Sequence, residues 1–249
     1  MKKVLITGIS GFIGSRMATF LAQRQLRVFG WNRIGIHDEY GSAEVNMHQE
    51  NDVIKALENC NPDIIIHCAG SADVGKSVVN PTIDFEGNVK ITHNLMFAMH
   101  KLGLEKTRFV FLSSAGVYGN PVSLPISEDA PLNPLSPYAV HKVMCEDLCK
   151  YFTNNYGTNV KVARIFSAYG AGLKKQIFWD MFQKYKNAGK LNMFGTGNES
   201  RDYIHVDDLV QALYLLAMTD DSEVFYNVAN GEEITIREAT EQFANKYRR

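Results

Sequence analysis

Short β-branched runs alternate with longer amphipathic stretches over the first two thirds of this 249-residue chain. Val4–Thr7, Arg27–Trp31, Asp63–His67, Arg108–Ser113 and Val160–Phe166 have the length and composition of strands. Helical periodicity fills the spaces between and after them, over Phe12–Arg24, Val53–Asn59, Thr82–Leu102, Pro137–Asn155 and Leu173–Ala188. Strands and helices in alternation predict βαβ units, hence an α/β fold with a doubly wound parallel sheet covered on both faces. Ile64-Ile65-Ile66 is an unbroken apolar run, as a strand buried on both faces requires. After about residue 167 the pattern loosens. Gly170, Gly172, Gly189, Gly195 and Gly197 punctuate short strand-like pieces at Leu191–Phe194, Tyr203–Val206 and Val224–Val228, and a last helix is expected near Ile236–Tyr247. The expected organisation is a main domain over 1–166 and a smaller lobe over 167–249, interleaved with the main sheet and laid over its carboxyl edge.

Charge narrows the partners. Lys and Arg number 26 and Asp and Glu 27, so the formal net charge is −1. That balance argues against nucleic acid as a partner, because phosphate-backbone binding needs a clustered basic surface. No apolar run approaches the roughly 20 residues of a membrane span. Met1-Lys2-Lys3 before Val4-Leu5-Ile6 imitates the start of a secretory leader, but Gly8, Ser10, Gly11 and Gly14 break the run at once. Cys60, Cys68, Cys145 and Cys149 show neither CxxC spacing nor disulfide density, which fits a reducing cytoplasm. Cys145 and Cys149 share a helix face and read as core thiols. The seven His lack paired ligand spacing, so no metal is expected.

The first strand runs directly into Gly8-Ile9-Ser10-Gly11-Phe12-Ile13-Gly14 and then a helix. Glycines at such a turn let the backbone approach a pyrophosphate, and the helix N-terminus offers free N–H groups and a positive dipole end. Strand, turn and helix in this order predict a Rossmann dinucleotide site using Gly8, Gly11, Phe12, Ile13 and Gly14. The second strand ends in Asn32, 18 residues past Gly14, where a carboxylate would grip an adenosine ribose. Asn32 does not repel a 2′-phosphate and Arg33 can pair with one, so the cofactor is NAD or NADP, with NADP slightly favoured.

Tyr138 and Lys142 stand four apart in Ser136-Pro137-Tyr138-Ala139-Val140-His141-Lys142, which puts them on one helix face. An ammonium beside a phenol favours the phenolate, so the pair can exchange a proton with a hydroxyl while hydride moves to or from nicotinamide. Ser114 ends a strand, where ligands of doubly wound folds bind.

These segments resemble the extended short-chain dehydrogenase/reductase family, in particular its nucleotide-sugar epimerase/dehydratase group. The likeness runs the whole chain through Thr7–Gly14, Asp63–Gly70, Ser113–Gly119, Ser136–Lys142, Ala163–Gly170 and Arg201–Asp208. It implies Tyr138 as acid/base, Lys142 as its tuner and a ribose binder, and Ser114 as hydrogen-bond partner of the reacting oxygen. It further implies that Ala69, Gly70, Asn88 and Phe166 line the cofactor. Tyr118, Ser167, Phe194 and Arg201 fall on the substrate side, with Phe194 against the nucleotide base and Arg201 on the phosphates.

The departures sharpen the expectation. Asn46 replaces an Asp that reads the adenine edge, Ser167 replaces an Asn, and His141 replaces a Ser and is expected to face solvent or a partner subunit. Ser114-Ala115-Gly116 lacks the acidic pair that dehydratases use to expel water. Such relatives continue for several dozen residues beyond the helix near Ile236–Tyr247, so the sequence is expected to be either a short member or one cut short. The expected function is therefore an NAD(P)-dependent nucleotide-sugar epimerase acting at C4. An NADPH-dependent 4-ketoreductase is the alternative, and a non-catalytic dinucleotide-binding relative a third. A homodimer is expected through the apolar helices.

Overall fold

The computed structural model describes residues 1–33, 40–188, 191, 193 and 195–247. The chain divides into two compact units, Met1–Ile165 with Val210–Asn227, and Phe166–Leu209 with Val228–Arg249. The elements run β1 (Lys3–Thr7), α1 (Phe12–Ala22), β2 (Arg27–Asn32), β3 (Ala43–Glu44), α2 (Glu50–Cys60), β4 (Ile64–His67), α3 (Val74–Val79), α4 (Pro81–Phe85), a π turn (Glu86–Lys90) and α5 (Ile91–Lys101). Then follow β5 (Arg108–Ser114), a 3-10 turn (Ala115–Tyr118), α6 (Pro137–Tyr156), β6 (Val160–Ile165), β7 (Ser167–Tyr169), α7 (Gln176–Ala188), β8 (Ser200–His205), α8 (Val206–Met218), β9 (Phe225–Val228), β10 (Glu233–Thr235) and α9 (Ile236–Tyr247).

The main sheet has strand order β3-β2-β1-β4-β5-β6-β9, and its ladders from β3 to β6 are all parallel. The order reverses on either side of β1, the topological switch point at which doubly wound folds bind ligands. Leu5, Ile65, Phe109, Phe111 and Val162 from four of these strands bury completely or nearly so against α2, α5 and α6. The five strands expected in the first two thirds of the chain are all present within one or two residues. In the smaller unit β10, β8 and β7 form a separate sheet. Tyr203, Met181 and Ala239 form its buried centre, with Tyr169, Phe178 and Phe243 packed around them.

One expected helix has more internal structure than its periodicity shows. The helix expected over Thr82–Leu102 runs unbroken from Pro81 to Lys101, with the ladder widening through the π turn between α4 and α5. Short α3, which precedes them, lacks the length for its periodicity to register. The piece expected at Leu191–Phe194 falls largely outside the described residues.

At the turn after β1 the glycines are sterically required. Gly8 adopts φ +67°, and a Cβ there would stand 2.8 Å from the Cα of Ala69. A Cβ on Gly14 would stand 2.3 Å from the Gly8 carbonyl oxygen, a backbone atom that cannot turn aside. Gly14→Ala gains about 1 kcal/mol of helix propensity but incurs an overpacking cost of about 1–3 kcal/mol. A net loss of stability, read as a lower urea midpoint with an unchanged m-value, is the expected outcome; a midpoint at or above the parent's would remove this contact from the account.

Candidate active site

Three stretches converge on the carboxyl ends of β1, β4 and β5, all within the larger unit. The first is the glycine turn. Gly11 is the N-cap of α1 and contributes no side chain, and no acidic residue occupies the first turn. The leading amides of α1 therefore keep their capacity for an anion. Asn32 is buried at the end of β2, and its Oδ1 accepts the Ser10 N–H at 3.0 Å. Its Nδ2 is buried without a partner. Arg33 follows and is exposed.

The second stretch is a relay through His67. Thr92 spends its proton on the Asn88 carbonyl at 2.7 Å and therefore accepts from His67 Nε2 at 3.1 Å. The neutral ring then accepts at Nδ1 from Thr7 Oγ1 at 2.7 Å, which itself accepts the Ala69 N–H at 3.1 Å. One directional chain thus ties the end of β1, the Ala69-Gly70 turn and the π turn together. Burial, with the Lys142 charge adding to it, pushes the His67 pKa down to about 3, so the ring is neutral. Burial pushes the neighbouring Cys68 thiol up to about 12. Asn88 is itself buried, with Nδ2 donating to the Asp84 carbonyl at 3.0 Å and Oδ1 unpartnered. That oxygen lies 2.8 Å from where a Gly70 Cβ would be. A π turn carrying an unsatisfied side chain is a frequent mark of a functional position. Orphaned Asn32 Nδ2 and Asn88 Oδ1, with uncapped amides on α1, are the donors and acceptors a dinucleotide needs. The residues present fit such a group.

The third stretch is α6. Ser136 caps it by accepting the Ala139 N–H at 3.2 Å, Pro137 occupies its first turn, and Ser77 of α3 accepts the Tyr138 N–H at 3.1 Å. Tyr138 is half-buried, and Lys142 lies one turn on with Nζ 5.8 Å from its ring centroid. Nζ donates to the Leu112 carbonyl of β5 at 2.9 Å. Two residues further along β5, Ser114 accepts the Gly116 N–H at 3.1 Å on a half-buried hydroxyl. A phenol, an ammonium and a hydroxyl gathered on one helix and one strand end can pass a proton to and from an alcohol.

Other expected residues stand elsewhere. Tyr118 is 1% exposed, and its hydroxyl donates to Asn227 Oδ1 at 2.7 Å and accepts from Arg164 at 2.8 Å. It is a structural residue, not a substrate contact. His141 faces neither solvent nor a partner, because its Nδ1 bonds Asp84 Oδ2 at 2.7 Å and the ring is buried. Asn46 is exposed, and its Oδ1 accepts the His48 N–H. In the smaller unit Phe166 and Ser167 are half-buried, Arg201 is exposed with Nη1 donating to the Ser200 carbonyl, and Phe194 lies outside the described residues. Among the described residues no group of three or more His, Cys, Asp or Glu side chains could hold a metal ion, and no helix is long and apolar enough to cross a membrane.

Residues 4–229 match the model of the NAD dependent epimerase/dehydratase family. The chain belongs to this family. Among its relatives, a UDP-glucose 4-epimerase of Mycolicibacterium smegmatis is 32% identical over 95% of this chain and 80% of its own length. A GDP-6-deoxy-D-mannose reductase of Pseudomonas aeruginosa is 30% identical over 98% of this chain and 80% of its own. The UDP-glucose 4-epimerase of Thermus thermophilus, solved in complex with NAD, superposes with a TM-score of 0.87 at 27% identity, covering 98% of this chain and 82% of its own. The Rossmann-like α/β fold and the NAD-dependent enzyme class are thus those of the family.

The neutral His67 makes stability depend on pH. Unfolded, the ring binds a proton below about pH 6.5; folded, it stays neutral down to about pH 3. Between those values the unfolded state holds the extra proton, so stability falls as pH falls, by about 1.4 kcal/mol per unit for this one group. Urea midpoints of the cofactor-free protein from pH 7.5 to 5 are expected to drop more steeply for the parent than for His67→Gln. Equal slopes would mean that the ring is not held neutral.

Proposed function

We propose that this protein is an NAD(P)-dependent nucleotide-sugar 4-epimerase, with a UDP-hexose as substrate. The observation that carries the reading is α6 docked on β5, with Tyr138 and Lys142 one turn apart and Lys142 bonded to the strand that ends in Ser114. The larger unit serves as the dinucleotide domain and the smaller as the nucleotide-sugar lobe, to which Ser167, Phe194 and Arg201 contribute. NAD(P), when bound, would supply a nicotinamide able to accept a hydride from C4 and to return it to the opposite face once the 4-keto sugar has turned.

The chain's own residues do the rest. Amides of Phe12 to Gly14 and the α1 dipole would hold the pyrophosphate, the Gly11 N–H being spent on the Gly8 carbonyl. Ala69, Gly70 and Asn88 would line the dinucleotide. Lys142 has three donors, gives one to Leu112, and would offer the others to a ribose. Ser114 donates to the 4-oxygen of the sugar while Tyr138 takes its proton and later gives it back. Since Ala115 and Gly116 offer no acid, water is not expelled, and the sugar keeps its 6-hydroxyl.

A homodimer is supported by the apolar surface on α3, α4 and α6, where Val79 is 87%, Ile83 64% and Met144 42% exposed. A reducing cytoplasm is supported by the four free cysteines. Interconversion of UDP-glucose and UDP-galactose, followed by NMR, tests the reading. Tyr138→Phe is expected to lose about 100- to 10,000-fold in rate while binding dinucleotide as the parent does. A parental rate in that variant would remove Tyr138 from the chemistry.

A second reading, a 4-ketoreductase that consumes NADPH, is favoured by the end of β2. Asn32 brings no carboxylate there, and Arg33 is the charge available for a 2′-phosphate. The similarity to a GDP-6-deoxy-D-mannose reductase points the same way. Because Arg33 is exposed and screened, Arg33→Ala is expected to weaken NADPH binding by about tenfold and leave NADH unchanged in calorimetric titration. No change with either cofactor would make Arg33 a bystander and favour NAD.

A further inference from the structure

Below the carboxyl end of β5 lies a charged cluster that the proposed chemistry does not use. Glu146, on α6, is fully buried and sits one turn past Lys142 and two past Tyr138. Arg164 of β6 is 3% exposed and is the register partner of Ser113 on β5. Glu146 Oε1 accepts the Ser113 hydroxyl at 2.6 Å and Arg164 Nε at 3.1 Å, and Oε2 accepts Arg164 Nη2 at 2.8 Å. The other arm of the guanidinium, Nη1, donates to the Tyr118 hydroxyl at 2.8 Å and to the Glu128 carbonyl at 2.7 Å. Tyr118 closes the 3-10 turn that begins immediately after Ser114.

A buried ion pair is seldom the most stable filling for such a space, since apolar side chains of similar volume often do as well or better. Directed bonds are what apolar side chains cannot supply. Here they join α6 to β5 on one side of Ser114, through Ser113, and to the turn on its other side, through Tyr118. Helix rotation and strand end are thereby fixed to each other at the three groups that do the proposed chemistry.

We propose that Glu146 and Arg164 are positioning residues, whose buried pair sets Ser114 against Tyr138 and Lys142. This rests on the epimerase reading for its consequence in rate, though not for its consequence in structure. The triple variant Ser113→Ala, Glu146→Met, Arg164→Met replaces the cluster with apolar groups and leaves no buried charge unpaired. It is expected to melt near the parent temperature and to bind NAD within about threefold of the parent. Its kcat for UDP-hexose interconversion is expected to fall at least 30-fold with KM within threefold. Hydrogen exchange of the peptide 113–120, where the Gly116 N–H bonds Ser114 Oγ and the Gly119 N–H bonds the Gly116 carbonyl, is expected to quicken at least tenfold, with the β1–α1 peptides unchanged. The exchange readout needs no turnover, so it decides the positioning claim even if the parent converts no sugar. A folded triple variant with parental exchange in that peptide would overturn the proposal, as would a parental kcat. Should the triple variant fail to fold, Ser113→Ala alone decides: faster exchange in the same peptide upholds the proposal, and parental exchange overturns it.

Discussion

The helix α6 must bury an ammonium and a carboxylate against the carboxyl half of β5, and the local structure follows from how those two charges are compensated. An unpaired ion in such a place is prohibitive. Lys142 meets the Leu112 carbonyl, and Glu146 meets Ser113 and Arg164. Since Tyr138, Lys142 and Glu146 recur at four-residue spacing, satisfying the second and third leaves the first no freedom of rotation or height. The rotation of Tyr138 on α6 is thereby set largely by contacts of Lys142 and Glu146, with its own N–H held by Ser77.

The opposite side of the site obeys the same constraint with neutral groups. A turn packed as closely as Gly8 and Gly14 demand leaves no space for side-chain caps, so the amides of α1 stay open to an external anion. What holds that turn in place is the relay from Thr7 through His67 to Thr92 and the Asn88 carbonyl. Its direction is unambiguous because Thr92 must donate to the Asn88 carbonyl and so accepts from the neutral imidazole. A charged imidazole would break it, and burial prevents the charge.

Much of this was legible in the sequence. The βαβ alternation, the glycine turn after the first strand and the Tyr138–Lys142 spacing are local patterns with local causes, and they led to the fold and to the core of the site. What escaped depends on contacts distant in the chain. His141 looks like a solvated residue until Asp84, 57 positions away, is brought beside it. Tyr118 lies in a motif that the resemblance assigns to substrate, yet Arg164 and Asn227 claim its hydroxyl from two other strands. Glu146 continues the Tyr138–Lys142 spacing, so its helix face was readable, but its importance depends on Arg164 arriving from β6. The π turn at Glu86–Lys90 has no compositional signal, because widening the ladder by one residue leaves the periodicity of the flanking turns intact.

Membership of the NAD dependent epimerase/dehydratase family and the geometry of α6 on β5 converge on hydride chemistry at a sugar carbon. The absence of acidic residues at Ala115 and Gly116 leaves that hydride only one productive course in an epimerase, which is back to the carbon it left. The most direct measurement uses UDP-glucose deuterated at C4, incubated with the purified protein in ordinary water and followed by NMR and mass spectrometry. The account predicts UDP-galactose that carries the deuterium at C4, with no net oxidation or reduction of the cofactor. Product that has exchanged the label with solvent would contradict it. So would the absence of product from UDP-glucose in a protein that instead reduces a 4-keto sugar with stoichiometric loss of NADPH.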